Sequence, residues 1–269
     1  MTNKYVEWKK YWPIETEDFK PSTLCDVTNV NRYIEQNKLG RDFYVPINEL
    51  LLNLPWNSVW FEWTAHRITR GDRCHYGVYA QEFEDTIFYM VFTDAMSHYS
   101  IHNSMFSNPF VGCEVVKKSK DGTYSRGDVT IRKDFNIYDK DRRTIMAKLV
   151  SIGSLTAAYA TTFANCKNVF YYDVVCPSKI QKKRIKSGKV PQETYRIIDI
   201  GGLKKQAKSE ATETEGELQR ALHICRGHFK TYTKEKPLMG KFTGTYWWAM
   251  HSRGDAKNGR VNKDYTVSP

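Results

Sequence analysis

Four runs between residues 58 and 118, "SVWFEWTA", "HYGVYAQ", "TIFYMVFT" and "FVGCEVVKK", constrain the fold of this chain most. Each is rich in β-branched and aromatic side chains, which suit a pleated, half-buried surface, and turn-forming clusters separate them. Their spacing predicts neighbouring antiparallel strands. From Asp141 to about Cys166 the period changes: Ile145, Leu149, Ile152, Leu155, Tyr159 and Phe163 recur at steps of three and four, the stripe of a helix packed on a sheet. "VNRYIEQNK", stopped by Gly40, reads as a short helix, and "INELLLNLPW" as an apolar turn ended by Pro55. "NVFYYDVVC" reads as a buried strand and "ETYRIIDI" as a later one. Between them "PSKIQKKRIKSGKVPQ" has a proline near each end and too many charges to bury, and reads as a surface loop. No internal repeat or heptad is visible. The fold class expected is α+β, with a mixed or mainly antiparallel sheet, a central helix near 141–166 and a basic β-rich C-terminal part.

Charge divides the chain unevenly. Of a net +11, residues 177–208 supply +8 (ten Lys/Arg, two acids) and residues 220–265 supply +7 (ten Lys/Arg, three acids), while "SEATETEGELQ" between them supplies −4. Residues 1–176 therefore balance to zero (11 − 8 − 7 + 4). A positive field confined to the last third is the footprint of a surface for phosphates, since neutralising them releases condensed counterions. The division expected is a target-recognition part over 1–176, offering Trp56, Trp60 and Trp63 as contact aromatics, and a basic part over 177–269, with a boundary or mobile loop at 207–219. The six cysteines are scattered without a C-x-x-C pair, the opening "MTNKYVEWKKYWPIETEDFK" lacks a signal-peptide core, and no apolar run is long enough to span a membrane. A cytoplasmic protein with no membrane partner is the expectation, and the family resemblance described below would place it in a host cell.

Residues 221–254, "ALHICRGHFKTYTKEKPLMGKFTGTYWWAMHSRG", hold three of the seven histidines, two adjacent tryptophans and a run of cations. Alternation predicts a strand through "ALHIC" that sets His223 and Cys225 on one face, with His228 on the other unless Gly227 marks a bulge. A second strand through "GTYWWAMHSRG" sets Trp247, Ala249 and His251 together. Three chemistries compete for these residues. Zinc could take His223, Cys225, His228 and His251, but the spacing fits no zinc signature, so no metal or other cofactor is expected. Metal-independent RNA cleavage needs an imidazole to accept the 2′-hydroxyl proton, another to protonate the leaving oxygen, and cations for the phosphate; His223, His228, His251, Arg226, Lys241 and Arg253 supply those roles. Recognition without chemistry would stack bases on Phe229, Tyr232, Trp247 and Trp248. Lys182, Lys183, Arg184, Lys186 and Lys189 in the basic loop are expected to grip phosphates. His66, His75, His98 and His102 lie among aromatic strands and read as structural.

The pattern His223-x-x-Arg226-Gly227-His228-Phe229, with Tyr232 and the later Trp247–Trp248 pair, resembles a C-terminal signature of a family of phage and mobile-element proteins that includes a type V-A anti-CRISPR protein. Leu54-Pro55-Trp56 before a strand, and "KKRIKSGKVPQETYRI", occur in the same order in that family, so the similarity spans about residues 48–267. Two departures matter: Cys225 stands where the anti-CRISPR member has a second arginine, and the N-terminal part is not closely alike. The resemblance implies a C-terminal module acting on RNA or the translation machinery, joined to a variable recognition part. It implies counter-defence or host takeover by translation-coupled cleavage of mRNA, or by recruiting a nuclease. The partners it implies are mRNA or a ribosome–nascent chain complex, with a target polypeptide. The alternative is a non-enzymatic inhibitor that binds a host defence protein or nucleic acid.

Overall fold

The computed structural model describes residues 4–11, 21–36, 50–66, 73–95, 108–120, 123–132, 140–189, 191–200, 221–225, 227–249, 251–253 and 255–260. Their contacts divide the chain into two units: residues 1–165 with 170–199, and residues 166–169 with 200–269.

The first unit is built on an eight-stranded mixed sheet. In chain order its elements are α1 (Lys4–Trp8), β1 (Thr23–Asp26), α2 (Thr28–Gln36), β2 (Ser58–His66), β3 (Arg73–Phe83), β4 (Thr86–Thr93), β5 (Phe110–Lys118), β6 (Tyr124–Ile131), α3 (Lys140–Ala164), β7 (Phe170–Val174), α4 (Ser178–Lys186) and β8 (Tyr195–Asp199). The strands lie in the order β6-β5-β4-β3-β2-β1-β8-β7. The four aromatic runs form β2 to β5, and with β6 they make an antiparallel meander. β1 is parallel to both β2 and β8, and β7 closes the far edge antiparallel to β8. The fold is α+β with a mixed sheet.

Alternation along the strands buries both faces. Trp60 pairs with Tyr79 on one face, where Tyr5 and Trp8 of α1 cover Trp60 at 5.6 and 6.5 Å between ring centroids. Leu24, Met90, Phe92 and Phe110 complete that cluster. Glu62 is buried beneath α1 and accepts hydrogen bonds from the Tyr5 backbone N–H (3.4 Å) and the Trp60 indole N–H (3.3 Å). The opposite face meets α3. A Cβ on Gly153 would come within 2.5 Å of Val91 Cγ1, so glycine is what lets the helix lie this close to the sheet.

The apolar stripe predicts a helix covered on one side, yet α3 is buried all round from Gly153 to Phe163. Its threonines accommodate this by turning their hydroxyls onto the helix's own carbonyls: Thr156 to Ile152, Thr161 to Ala157 and Thr162 to Ala158, at 2.9–3.0 Å. Leu50 to Leu54 lie outside helix and strand and cover the helix end, where the Asn165 amide donates to Asn53 O at 2.7 Å. The apolar turn expected over residues 47–56 is, where described, this irregular segment.

Several expectations are corrected. Trp60 and Trp63, read as contact aromatics, are core residues at 0 % and 1 % exposure, because alternation turns one to each covered face. "NVFYYDVVC" forms β7, an edge strand with Phe170, Tyr171 and Tyr172 exposed rather than buried. The basic segment read as a surface loop is a helix, α4. The division at residue 176 would cut the sheet, since β8 lies between β1 and β7. Position 207–219 lies outside the described residues.

The second unit contains β9 (Ala221–Cys225), β10 (His228–Tyr232), β11 (Gly244–Trp248), β12 (His251–Arg253) and β13 (Asp255–Arg260). β10 pairs with β11, and β9 lies between β12 and β13. Among the described residues no helix is long and apolar enough to cross a membrane.

Candidate nucleic-acid interface

Two basic surfaces, one in each unit, carry the residues expected to meet RNA. In the first unit Lys179, Lys182, Lys183 and Lys186 recur at i, i+3, i+4 and i+7 of α4, so the helix gathers all four exposed lysines into one stripe. The helix forms without an apolar face. Lysine, glutamine and arginine have good helix propensity, and Lys183, Arg184 and Lys186 in its last turn complement the negative end of the dipole. Gly188 at φ +67° ends it, as Lys189 N–H reaches back to Arg184 O (2.9 Å) and Gly188 N–H to Ile185 O (3.0 Å). Gln181 and Gln192 then exchange a pair of hydrogen bonds at 3.1 and 3.0 Å that fasten the returning chain. Lys182, Lys183, Lys186 and Lys189 are exposed and Arg184 is half-buried.

In the second unit β10 and β11 form a hairpin. Register sets His228 opposite Trp248, Phe229 opposite Trp247, Lys230 opposite Tyr246 and Thr231 opposite Thr245. Phe229 and Trp247 pack together at 4.8 Å, and the Thr231 and Thr245 hydroxyls share a hydrogen bond of 2.8 Å. Trp247 is only 3 % exposed, so it is a core residue and not a stacking surface for a base. The other face carries His228, Lys230, Tyr232, Tyr246 and Trp248. There the Lys230 ammonium lies 4.9 Å from the Tyr232 ring centre, and Tyr232 meets Tyr246 edge-on at 5.8 Å. His228 and Lys230 are exposed and the three aromatics half-buried. Residues 166–169 anchor the hairpin: Lys167 N–H donates to Thr245 O, and Asn168 both donates to and accepts from the Trp247 backbone, all at 2.9 Å.

For the histidines of β9 and β12 the structure describes the backbone register. β9 and β12 pair so that His223 is opposite Arg253 and Cys225 opposite His251. His223 and His228 are five positions apart on one side and Trp248 and Arg253 five apart on the other, so the two ladders share one register. A bulge at Gly227 would need an additional residue on one side. The pairs His228–Trp248 and Cys225–His251 leave two residues on each strand between them, so the register shows no such addition. His251 stays in register with Cys225, not with His228. Lys241 lies in the hairpin's connecting turn, away from the ladder. Arg226 lies outside the described residues. Among the described residues no group of three His, Cys, Asp or Glu could hold a metal ion. Burial pushes the Cys113 thiol up to about 11 and Cys166 up to about 12, so neither is a thiolate near neutrality. His75 bonds Asp94 at 2.7 Å, as a structural histidine does.

Sequence reasoning missed Lys179, Lys230 and Tyr246. The signal was available for Lys230, two residues before Tyr232 on one strand, whereas Tyr246 joins that face only through the hairpin register.

The fold and these surfaces define a class, an α+β protein with a mixed eight-stranded sheet, a separate small β unit and a basic surface on each. Comparison with protein-family models, with curated proteins and with solved structures finds no match for this chain.

Proposed function

We propose that this chain binds RNA through the lysine stripe of α4 and the outer face of the β10–β11 hairpin. In this reading it acts on mRNA, or on a translating ribosome, as a phage-type counter-defence or host-takeover protein. The observation that carries the proposal is the hairpin face on which Lys230, Tyr232, Tyr246 and Trp248 alternate cation with aromatic. Single-stranded nucleic acid is held by that combination, because phosphates need cations and every base offers a π-face for stacking. The stripe on α4 adds charge without aromatics, which suits the sequence-independent backbone. The kinship to the phage family rests on the residues quoted for it, and with it the proposed coupling to translation.

The test incubates full-length protein with labelled single-stranded RNA, with and without a chelator, and separates bound, free and cleaved RNA. Intact RNA in a salt-sensitive complex supports the reading. Chelator-insensitive cleavage, abolished by His228→Ala, would assign the histidines to catalysis instead. No retention of RNA at low salt would overturn it.

A further inference from the structure

The connection between β10 and β11 is built unlike the rest of the hairpin. Leu238 and Phe242 pair across a tight turn: Leu238 N–H donates to Phe242 O at 2.8 Å, Phe242 N–H to Leu238 O at 3.0 Å, and Lys241 N–H to Leu238 O at 3.1 Å. The two residues at its tip, Met239 and Gly240, both have left-handed backbones, with φ of +51° and +72°. Such a turn favours asparagine followed by glycine. The glycine is here, but methionine stands where asparagine is favoured, in a conformation that side chains with a Cβ rarely adopt. Strain of this kind persists where something other than folding selects the residue.

The side chains at the tip point to what that is. Met239 is 58 % exposed and Phe242 52 %, two large apolar groups at the end of an arm whose base is anchored by Lys167 and Asn168. Lys234, Lys236 and Lys241 lie in the same connection, all exposed. Glu235 is the one acid in the turn, and the Thr233 hydroxyl's hydrogen bond holds its carboxyl below the usual carboxylate range. Lysine is depleted in the cores of protein–protein interfaces, whereas apolar wedges flanked by cations are a means of entering between stacked bases.

We infer that the tip of this hairpin is a wedge for RNA: Phe242 stacks on an unstacked base, Met239 packs against its neighbour, and Lys234, Lys236 and Lys241 hold the adjoining phosphates. This deepens the RNA-binding reading above and rests on it. It moves Lys241 from a catalytic role to a phosphate contact.

The strained methionine supplies the test. Met239→Asn replaces a disfavoured turn residue with a favoured one, so the protein should unfold at an unchanged or higher temperature. Its affinity for a single-stranded RNA containing 2-aminopurine should nevertheless fall about tenfold, and Phe242→Ala should remove most of the 2-aminopurine quenching by stacking. Unchanged affinity and quenching in both variants, with the wild type still binding RNA, would overturn the wedge and leave the RNA reading in place. Absence of RNA binding by the wild type would overturn both. Loss of binding to phosphatidylserine vesicles in the variants, with RNA binding untouched, would make the tip a membrane contact and overturn it too.

Discussion

Glu114 shows what burial does to a single charge in this sheet. It is enclosed under α3, where the Ser154 hydroxyl donates to it and the Arg126 guanidinium lies 3.0 Å away. Burial raises its carboxyl above the ordinary value, and Ser154 and Arg126 only partly offset that. For a carboxyl whose folded pKa exceeds its unfolded one, the stabilisation is complete below the unfolded pKa and is lost as pH rises through the folded pKa. Urea unfolding should therefore show stability declining as pH climbs out of the carboxylate range, and Glu114→Gln should flatten that decline; an unaltered slope would remove Glu114 as its source. Gly77 tests packing at the same scale. A Cβ there would come within 2.1 Å of the Trp60 ring, whose rigid indole is buried between α1 and the sheet. Gly77→Ala should cost about 1–3 kcal/mol in equilibrium unfolding, as overpacking does. A loss below about 0.5 kcal/mol, as at an exposed site, would mean the ring can shift aside.

Among the elements, those whose pattern is dictated by burial were legible in the sequence and those dictated by surroundings were not. β2 to β5 announce themselves because both faces are covered and most of their positions are β-branched or aromatic. α3 was legible from its stripe, though not its burial on all sides, which Ala157, Ala160 and the self-bonded threonines permit. α4 carries no apolar stripe, so its nine residues read as a loop. β7 read as buried from its aromatics, yet it is an edge strand, a position no local pattern encodes. At the candidate site the residue types were legible and the register was not: without it Gly227 could not be told from a bulge, nor Trp247 from Trp248. α4 carries its own prediction. Replacing Lys179, Lys182, Lys183 and Lys186 with glutamine should leave helicity by circular dichroism nearly unchanged, while the slope of log affinity for RNA against log salt falls by about 0.7 for each phosphate that the helix no longer neutralises. An unchanged slope would exclude the stripe from the interface.

For the whole molecule, the first unit runs to Asp199 apart from residues 166–169, whereas the charge pattern placed a division at 176. The difference is physical: charge marks a surface, while sheet order marks what must fold together. A chain ending at residue 199 should keep the near-UV dichroism of Trp60 and Trp63 and unfold cooperatively. One ending at 176 lacks β8, hence the partner of both β1 and β7, and should lose cooperativity; equal melting of the two would show that β8 is dispensable. The central claim is that the described surfaces hold RNA. Fluorescence anisotropy of full-length protein with a labelled single-stranded RNA, titrated across salt concentrations, tests it most directly. The expected result is intact RNA bound with an affinity that falls steeply and linearly on a log–log salt plot. Binding that is absent at low salt, or indifferent to salt, would contradict it.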